Sequence, residues 1–230
     1  MAFLVIEGLD GSGKSTQIRL FREYLENNGI KYRYIHFPRT GSGLFGELIS
    51  MFLRGELGKI DEVNPYLAAL IYADDRNDAK SDMIRWLAEG GLLLVDRYVV
   101  SNIAFQCAKM KNPDRKRELR DWIYQLEYVN YEIPRPDLNI FLDVPFEFTK
   151  EKLAGNRTGK ERDYLRGVTD IHEADLEFQQ QVRQTYLDES KSDKSLSVVD
   201  CYNEKGEMLK PGEIFCKLKN LVKKKKILDI

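Results

Sequence analysis

The chain has 230 residues, 43% of them hydrophobic and 32% charged, enough for one well-buried core of an ordinary soluble type. Its 36 basic and 37 acidic residues leave a formal net charge of −1, so no global basic field draws nucleic acid and any basic cluster is local in purpose. Cys107, Cys201 and Cys216 are odd in number and widely spaced, which argues against a disulfide framework or a zinc site.

The opening MAFLVIEG carries no basic region and no small-residue cleavage site, so no signal peptide is expected. No apolar run reaches the roughly 20 residues of a membrane span. The expected setting is the cytoplasm, with no membrane and no nucleic acid as partner.

Five short apolar runs read as buried parallel strands: FLVIEG (3–8), YRYIHF (32–37), LLLVD (92–96), LNIFLDV (138–144) and LSVVD (196–200). Helical spacing fills the segments between them, so the expectation is an α/β chain with right-handed crossovers and helices on both sheet faces. A helix is expected over 14–28, stopping at Asn27-Asn28-Gly29. A longer one is expected over 64–89, with Asn64 as N-cap, Pro65 at its first position and Gly90-Gly91 beyond its end. The closing Lys223–Lys226 run reads as the solvated end of a last helix, where cations suit the macrodipole.

Between the first strand and the first helix stands EGLDGSGKST, in which Gly8 to Ser15 fits G-x-x-x-x-G-K-[ST]. The glycines let backbone N–H groups turn inward around phosphate oxygens, and the helix N-terminus adds a favourable dipole. Lys14 is placed to reach the β- and γ-phosphates of a nucleoside triphosphate, and the Ser15 hydroxyl to hold Mg²⁺. The expected ATP-binding set is Gly8, Asp10, Gly11, Ser12, Gly13, Lys14, Ser15 and Thr16. No Asn-Lys-x-Asp for guanine is present; the nearest fragment, Asn203-Glu-Lys-Gly, does not match it.

Strand 2 runs into Phe37-Pro38-Arg39, and strand 3 into Asp96-Arg97-Tyr98. Residues just past strand C-termini line the ligand crevice of an open parallel sheet. Arg39 and Arg97 there suit an acceptor that is itself a phosphate, although each also fits a structural ion pair. A phosphate monoester with second pKa of about 6 is already mostly dianionic, so it needs no base, whereas a nucleoside hydroxyl does. Tyr72 and Arg76 share a face of the long helix; by spacing alone they read as a core tyrosine and a surface arginine.

Taken together, EGLDGSGKST, FPR, ADDR, VDRYVVSNIAF and IPRPDLNIFLDV resemble the thymidylate kinase family, in order and with fitting spacings from about residue 3 to residue 200. The resemblance implies a three-layer P-loop fold, a single domain over 1–230, a sheet of order 2-3-1-4-5 and a short lid at about 155–168. It implies transfer of the ATP γ-phosphoryl group to dTMP with Mg²⁺, by a homodimer. Asp10, Arg39 and Arg97 are then expected at the dTMP phosphate, with Asp10, Ser15 and Asp96 close to the metal. Tyr72 is expected to stack on thymine, Arg76 to donate to its O4, and Asn102 with Ser101 to complete the base edge. Phe105 lies where many members carry Tyr beside the sugar, and Thr40 where some carry an aromatic. The basic segment GNRTGKERDYLRG is the expected lid, with Arg157, Lys160, Arg162 and Arg166 as candidate cations over the triphosphate and a solvated loop as the alternative. Arg157 and Arg162 join Lys14, Asp10, Arg39 and Arg97 as the expected catalytic set. A helix is expected from about 171. His172 stands where Phe or Tyr is usual and reads as a peripheral contact or a surface residue. The adenine pocket is expected to include CYNEKG after Asp200. A deoxynucleoside kinase and a regulatory ATP-binding module are the rival readings.

Overall fold

The computed structural model describes residues 2–41, 43–154, 160–168, 170–173 and 175–228, with backbone alone at Leu153, Ala154, Lys160, Glu161 and Arg162. Five parallel strands form one sheet: β1 (Ala2–Gly8), β2 (Tyr32–His36), β3 (Leu92–Asp96), β4 (Leu138–Asp143) and β5 (Leu196–Asp200). Their order is β2-β3-β1-β4-β5, as expected, with Val5 beside Val95 and Ile6 beside Ile140.

Central position explains why β1 is an unbroken apolar run up to Glu7. Every residue of the strand is buried, because helices cover both faces. Successive side chains point to opposite faces. Ala2, Leu4 and Ile6 pack with Ile18, Phe21 and Leu25 of α1 (Lys14–Asn27) and Leu218 of α8 (Pro211–Lys224). Phe3 and Val5 face the other way, onto Met83 of α3 (Pro65–Ala88), Val99 of α4 (Val99–Ala108) and Leu119 of α5 (Pro113–Tyr124). The same alternation aims Glu7 at α4.

Helix ends follow the local chemistry. The Asn64 side chain accepts from the Tyr66 N–H at 2.9 Å, and Pro65 opens α3 as expected. Its 24 residues span about 36 Å. Past α5 the chain runs into a π-helical turn, Gln125–Asn130. The remaining helices are α2 (Gly43–Leu53), α6 (Phe146–Ala154) and α7 (Leu176–Ser192), with a 3₁₀ turn over Lys160–Leu165. Lys223 to Lys226 are exposed at the end of α8.

One boundary differs from expectation. The helix expected near 171 starts at Leu176, capped by Asp175, whose Oδ1 accepts from Phe178 N–H at 2.9 Å. Asp170 instead accepts from the His172 N–H at 2.8 Å and holds a turn that does not propagate. Of the expected lid, residues 155–159, Arg157 included, lie outside the described residues. No helix among the described residues is long and apolar enough to cross a membrane.

Candidate active site

Between β1 and α1 the glycine-rich loop wraps back on its own strand. Gly13 has φ +84°, a left-handed conformation natural to glycine. A Cβ on Gly8 would stand 2.7 Å from Ser12 Oγ and 3.2 Å from Lys14 Cγ, so the loop can close this tightly only over glycine. Lys14 is 8% exposed and its ammonium donates to the Leu9 carbonyl at 3.2 Å. Ser12 Oγ is buried without a hydrogen-bond partner among the described residues.

Two cavities meet at Lys14 and Ser15. The smaller, about 450 Å³, is walled by Gly11, Ser12, Gly13 and Thr16 with Phe148, Cys201, Met208, Leu209 and Pro211. Its size and position fit a nucleotide donor, and part of CYNEKG borders it. Cys201 alone of that segment reaches the cavity, and the opposite wall comes from Met208 and Leu209 because Tyr202 and Met208 pair as a short antiparallel bridge.

The larger cavity, about 550 Å³, lies past the strand C-termini. Asp10, Lys14, Ser15, Asp96 and Arg97 line its end beside the glycine-rich loop, and Tyr72, Arg76, Ser101, Asn102 and Phe105 line the rest. Arg97 is 9% exposed. Its Nη2 donates to Asp10 Oδ1 at 2.8 Å, its Nη1 to Ser101 Oγ at 3.4 Å, and the guanidinium sits 4.9 Å from the Phe105 ring centre. Its φ of +64° is costly for a residue with a Cβ, as residues held by their surroundings at ligand sites often are.

Arg39 is the expected residue that the cavity does not contain. Its backbone N–H and Nε donate to the two oxygens of Asp75 at 2.9 and 2.8 Å, and its Nη2 reaches Asp78 at 2.6 Å. Asp75 is fully buried, and a buried carboxylate needs such a partner. The structural ion pair open at the sequence level is the state observed.

Asp96 presents one free oxygen. His36 Nδ1 lies 3.1 Å from its Oδ2, while Oδ1 is buried with no partner among the described residues. Burial pushes this carboxyl up, but His36, Lys14 and Arg97 outweigh it and hold the group below the usual carboxylate range. Mg²⁺ keeps water and substrate phosphates as ligands and asks the protein for only one or two oxygens. The unpartnered Asp96 Oδ1 and the exposed Ser15 hydroxyl fit that demand. No cluster of three metal-ligating side chains exists among the described residues.

Tyr72 meets Phe52 edge-on, ring centres 6.3 Å apart. Arg76 is 2% exposed rather than at the surface. Its Nε and Nη2 donate to the two oxygens of Glu127 at 2.5 and 2.8 Å. Asn102 Nδ2 donates to Glu127 Oε1 and to the Ala69 carbonyl, both at 3.0 Å. Ser101 is held differently: its Oγ donates to Glu7 Oε2 at 2.5 Å and lies 2.6 Å from the Tyr186 hydroxyl.

His172 is 5% exposed, not a surface residue. Its ring lies 5.1 Å from Phe105, 5.4 Å from Phe52 and 5.5 Å from Phe178. Burial, then Lys109, holds its pKa well below the ordinary value, so it is a neutral wall of the cavity. Beside it, burial and the nearby Asp10 push Asp170 up to about 7. Arg166 reaches Glu47 at 3.4 Å, and neither residue lines either cavity. The Arg162 side chain, like Arg157, lies outside what is described.

Residues that sequence reasoning missed supply the supports: Glu7, Glu127, Tyr186 and Gln179, whose Nε2 donates to the His172 carbonyl at 2.8 Å. Glu7 alone had a signal, as the one carboxylate in a buried apolar strand.

Burial pushes the Lys14 pKa down to about 8; Arg97 adds to this, while Asp96, Asp10 and Glu7 oppose it. In the ligand-free protein kcat/KM for the triphosphate therefore falls as pH rises through about 8, because the ammonium form is the one that meets phosphate. Between about 8 and 10.5 the unfolded chain holds more protons on this lysine than the folded one, so its contribution to stability rises with pH there. A pH–rate profile and melts at matched pH check both signs.

Comparison with known proteins bears on the same residues. The chain is 37% identical over 188 residues to the probable thymidylate kinase of Pyrococcus horikoshii, covering 80% of each. It is 29% identical over 186 residues to the thymidylate kinase of Mycobacterium tuberculosis, covering 80% of this chain and 84% of that one. The solved structure of thymidylate kinase from Candida albicans superposes with a TM-score of 0.72 over 98% of this chain and 92% of its own, at 24% identity, a likeness of fold. A family model described as thymidylate kinase matches residues 6–210, from the strand that feeds the phosphate loop to the edge of the last helix, and on that match the chain belongs to the thymidylate kinase family.

Proposed function

We propose that this chain transfers the γ-phosphoryl group of ATP to dTMP, giving dTDP and ADP, with the larger cavity as the acceptor site. The observation that carries the reading is one continuous cavity joining Lys14 and Asp96 at one end to a buried arginine, Arg97, and then to Arg76 and Asn102.

In this reading ATP lies in the smaller cavity with its phosphates over the loop of Gly8 to Thr16, and Lys14 draws the γ-phosphate toward the shared wall. Arg97 grips the acceptor phosphate, held at its own place by Asp10. The acceptor oxygen is already anionic, so catalysis is positioning and charge neutralisation, with no proton to remove. Mg²⁺ when bound neutralises charge on the transferring phosphoryl group; Ser15, Asp96 and Asp10 are the residues that would hold it. At the inner end Tyr72 stacks on the base, Arg76 donates to O4, and Asn102 accepts from N3–H. Phe105 and His172 crowd the sugar, and Ser101 steadies Arg97 rather than meeting the base. Arg39 serves here by anchoring the segment after β2 to Asp75. Lid cations from Arg157 and Arg162, a homodimer and a cytoplasmic setting complete the proposal, on the family resemblance.

The test is ADP release from MgATP with dTMP, dUMP, dCMP, dGMP and thymidine as acceptors, with products separated. Strong preference for dTMP and appearance of dTDP is the expected result. Preference for thymidine overturns the phosphate-acceptor reading, and ATP turnover without a phosphorylated acceptor overturns transfer.

A further inference from the structure

We propose that Glu127, a positioning residue outside the cavity wall, sets the choice of acceptor base by fixing which atoms two side chains present to it: the one uncommitted Nη1 donor of Arg76 and the Oδ1 acceptor of Asn102. The inference rests on the assignment of Arg76 and Asn102 to the base end.

Glu127 is fully buried on the π-helical turn Gln125–Asn130. Its two oxygens collect three donors. Oε2 takes Arg76 Nε at 2.5 Å, and Oε1 takes Arg76 Nη2 at 2.8 Å and Asn102 Nδ2 at 3.0 Å. The consequences for the two readers are opposite in sign. Arg76 has only donors to offer; its Nε and one amino group are occupied and its Nη1 makes no hydrogen bond among the described residues, so Nη1 is the donor left for the cavity it lines.

For Asn102 the question is which end of a nearly symmetric amide faces a ligand. Only its partners decide that. Both amide hydrogens are taken by acceptors, the Glu127 carboxylate and the Ala69 carbonyl. Oδ1 is left buried with no partner among the described residues, on a side chain that lines the cavity. Asn102 therefore offers an acceptor.

A donor beside an acceptor matches the edge of thymine or uracil, where O4 accepts and N3–H donates. Cytosine presents the reverse, an amino group and a bare N3. Both contacts go wrong for cytosine at once, and one carboxylate sets both. Glutamine at 127 has a single acceptor oxygen, so its NH₂ must oppose an N–H of Arg76 or of Asn102. Either Arg76 swings its free donor out of line or Asn102 turns its amide and presents N–H where Oδ1 stood, and in both cases the paired match to the base is lost.

The experiment is steady-state kinetics of Glu127→Gln on dTMP and dCMP at saturating MgATP, with a thermal melt of the same protein. Expected is a rise in KM for dTMP of about tenfold or more, a smaller change in kcat, and a dTMP/dCMP ratio of kcat/KM reduced by about tenfold or more, with KM for ATP unchanged. A folded variant that keeps both KM and the ratio overturns the proposal. So does parallel weakening of ATP and both acceptors together with a lowered melting temperature, the mark of a purely structural glutamate. Should Glu127→Gln not fold, Asn102→Ala leaves the Arg76–Glu127 pair in place and removes the acceptor. An unchanged dTMP/dCMP ratio there overturns the proposal as well. Wild-type protein that does not phosphorylate dTMP sinks the parent assignment; wild-type preference for dTMP with an unmoved ratio in the variants sinks this inference alone.

Discussion

Arg97→Ala lowers kcat/KM for transfer to dTMP by about 10²–10³-fold, or ~3–4 kcal/mol of transition-state stabilisation, the range for losing a preorganised charge donor. Burial opposes charge on this guanidinium, but Asp10, then Tyr186, Asp96 and Glu7, more than offset it, and the pKa rises above an already high value. Arg97 is thus a cation at every working pH. It is also held still, by Asp10, Ser101 and the Phe105 ring, so no reorganisation accompanies transfer. Alanine at this position keeps the same disfavoured φ of +64°, so the comparison reports the side chain and not relief of backbone strain. Arg97→Lys restores charge without the two-pronged donor geometry and recovers only part of the loss. Steady-state kinetics beside a melting curve separates activity from folding. Near wild-type kcat/KM in the alanine variant would remove Arg97 from the phosphate end.

Glu7→Ala is the substitution with the largest expected effect on stability, about 4 kcal/mol or more. Glu7 is fully buried, and burial raises its pKa against the hydrogen bonds that hold the carboxylate. It accepts from the Tyr98 N–H at 3.0 Å, the Ser101 N–H at 3.3 Å, the Ser101 hydroxyl at 2.5 Å and the Tyr186 hydroxyl at 3.0 Å. These donors come from the start of α4 and from α7, so one side chain at the end of β1 ties two helices to the sheet. Alanine lets the Ser101 and Tyr186 hydroxyls, 2.6 Å apart, pair with each other, but strands the two backbone N–H groups and one hydroxyl in a dry interior. For a chain of this size the melting temperature drops by about 10 °C. Glu7→Gln separates hydrogen bonding from charge. Its oxygen serves the two backbone donors while the hydroxyls rotate to accept from its amide, so the loss shrinks to about 1 kcal/mol. Equal losses in the two variants would show that the charge facing Arg97, rather than the hydrogen bonds, is what matters.

How much of this was legible in the sequence depended on whether the signal was contiguous. The phosphate loop was readable because all its parts sit within one decapeptide, and β1, β3 and β4 because burial on both faces leaves a mainly apolar run, interrupted in β4 only by Asn139 before its closing Asp143. Arg97 and Asp96 followed from their place at the end of β3. Arg39 occupies the equivalent place after β2 yet turns to Asp75, and nothing local to either residue tells which partner a guanidinium takes. The helix expected from about 171 begins later for a physical reason. Asp170-Ile-His-Glu173 has the pattern of a helix start, but its carboxylate closes a turn onto His172, and the working cap is Asp175, five residues on. His172 has no period that marks it as buried; three aromatic rings from α2, α4 and α7 enclose it, and only the assembled fold brings them together. Glu127 sits in a stretch whose spacing looks like any continuation of a surface helix. Its role arises from the wider π turn and from residues 25 and 51 positions away in the chain.

The ion pair between Arg76 and Glu127 couples two properties that are often treated as separable. It joins α3 to the turn after α5 with both charges out of water, so neither residue can change alone without stranding the other. On the proposed reading of Arg76, acceptor range and folding stability draw on the same atoms. A lineage, or a laboratory selection, moving toward a different pyrimidine must cross a destabilised intermediate unless positions 76 and 127 change together. Such a search succeeds soonest from a background already stabilised elsewhere in the sheet.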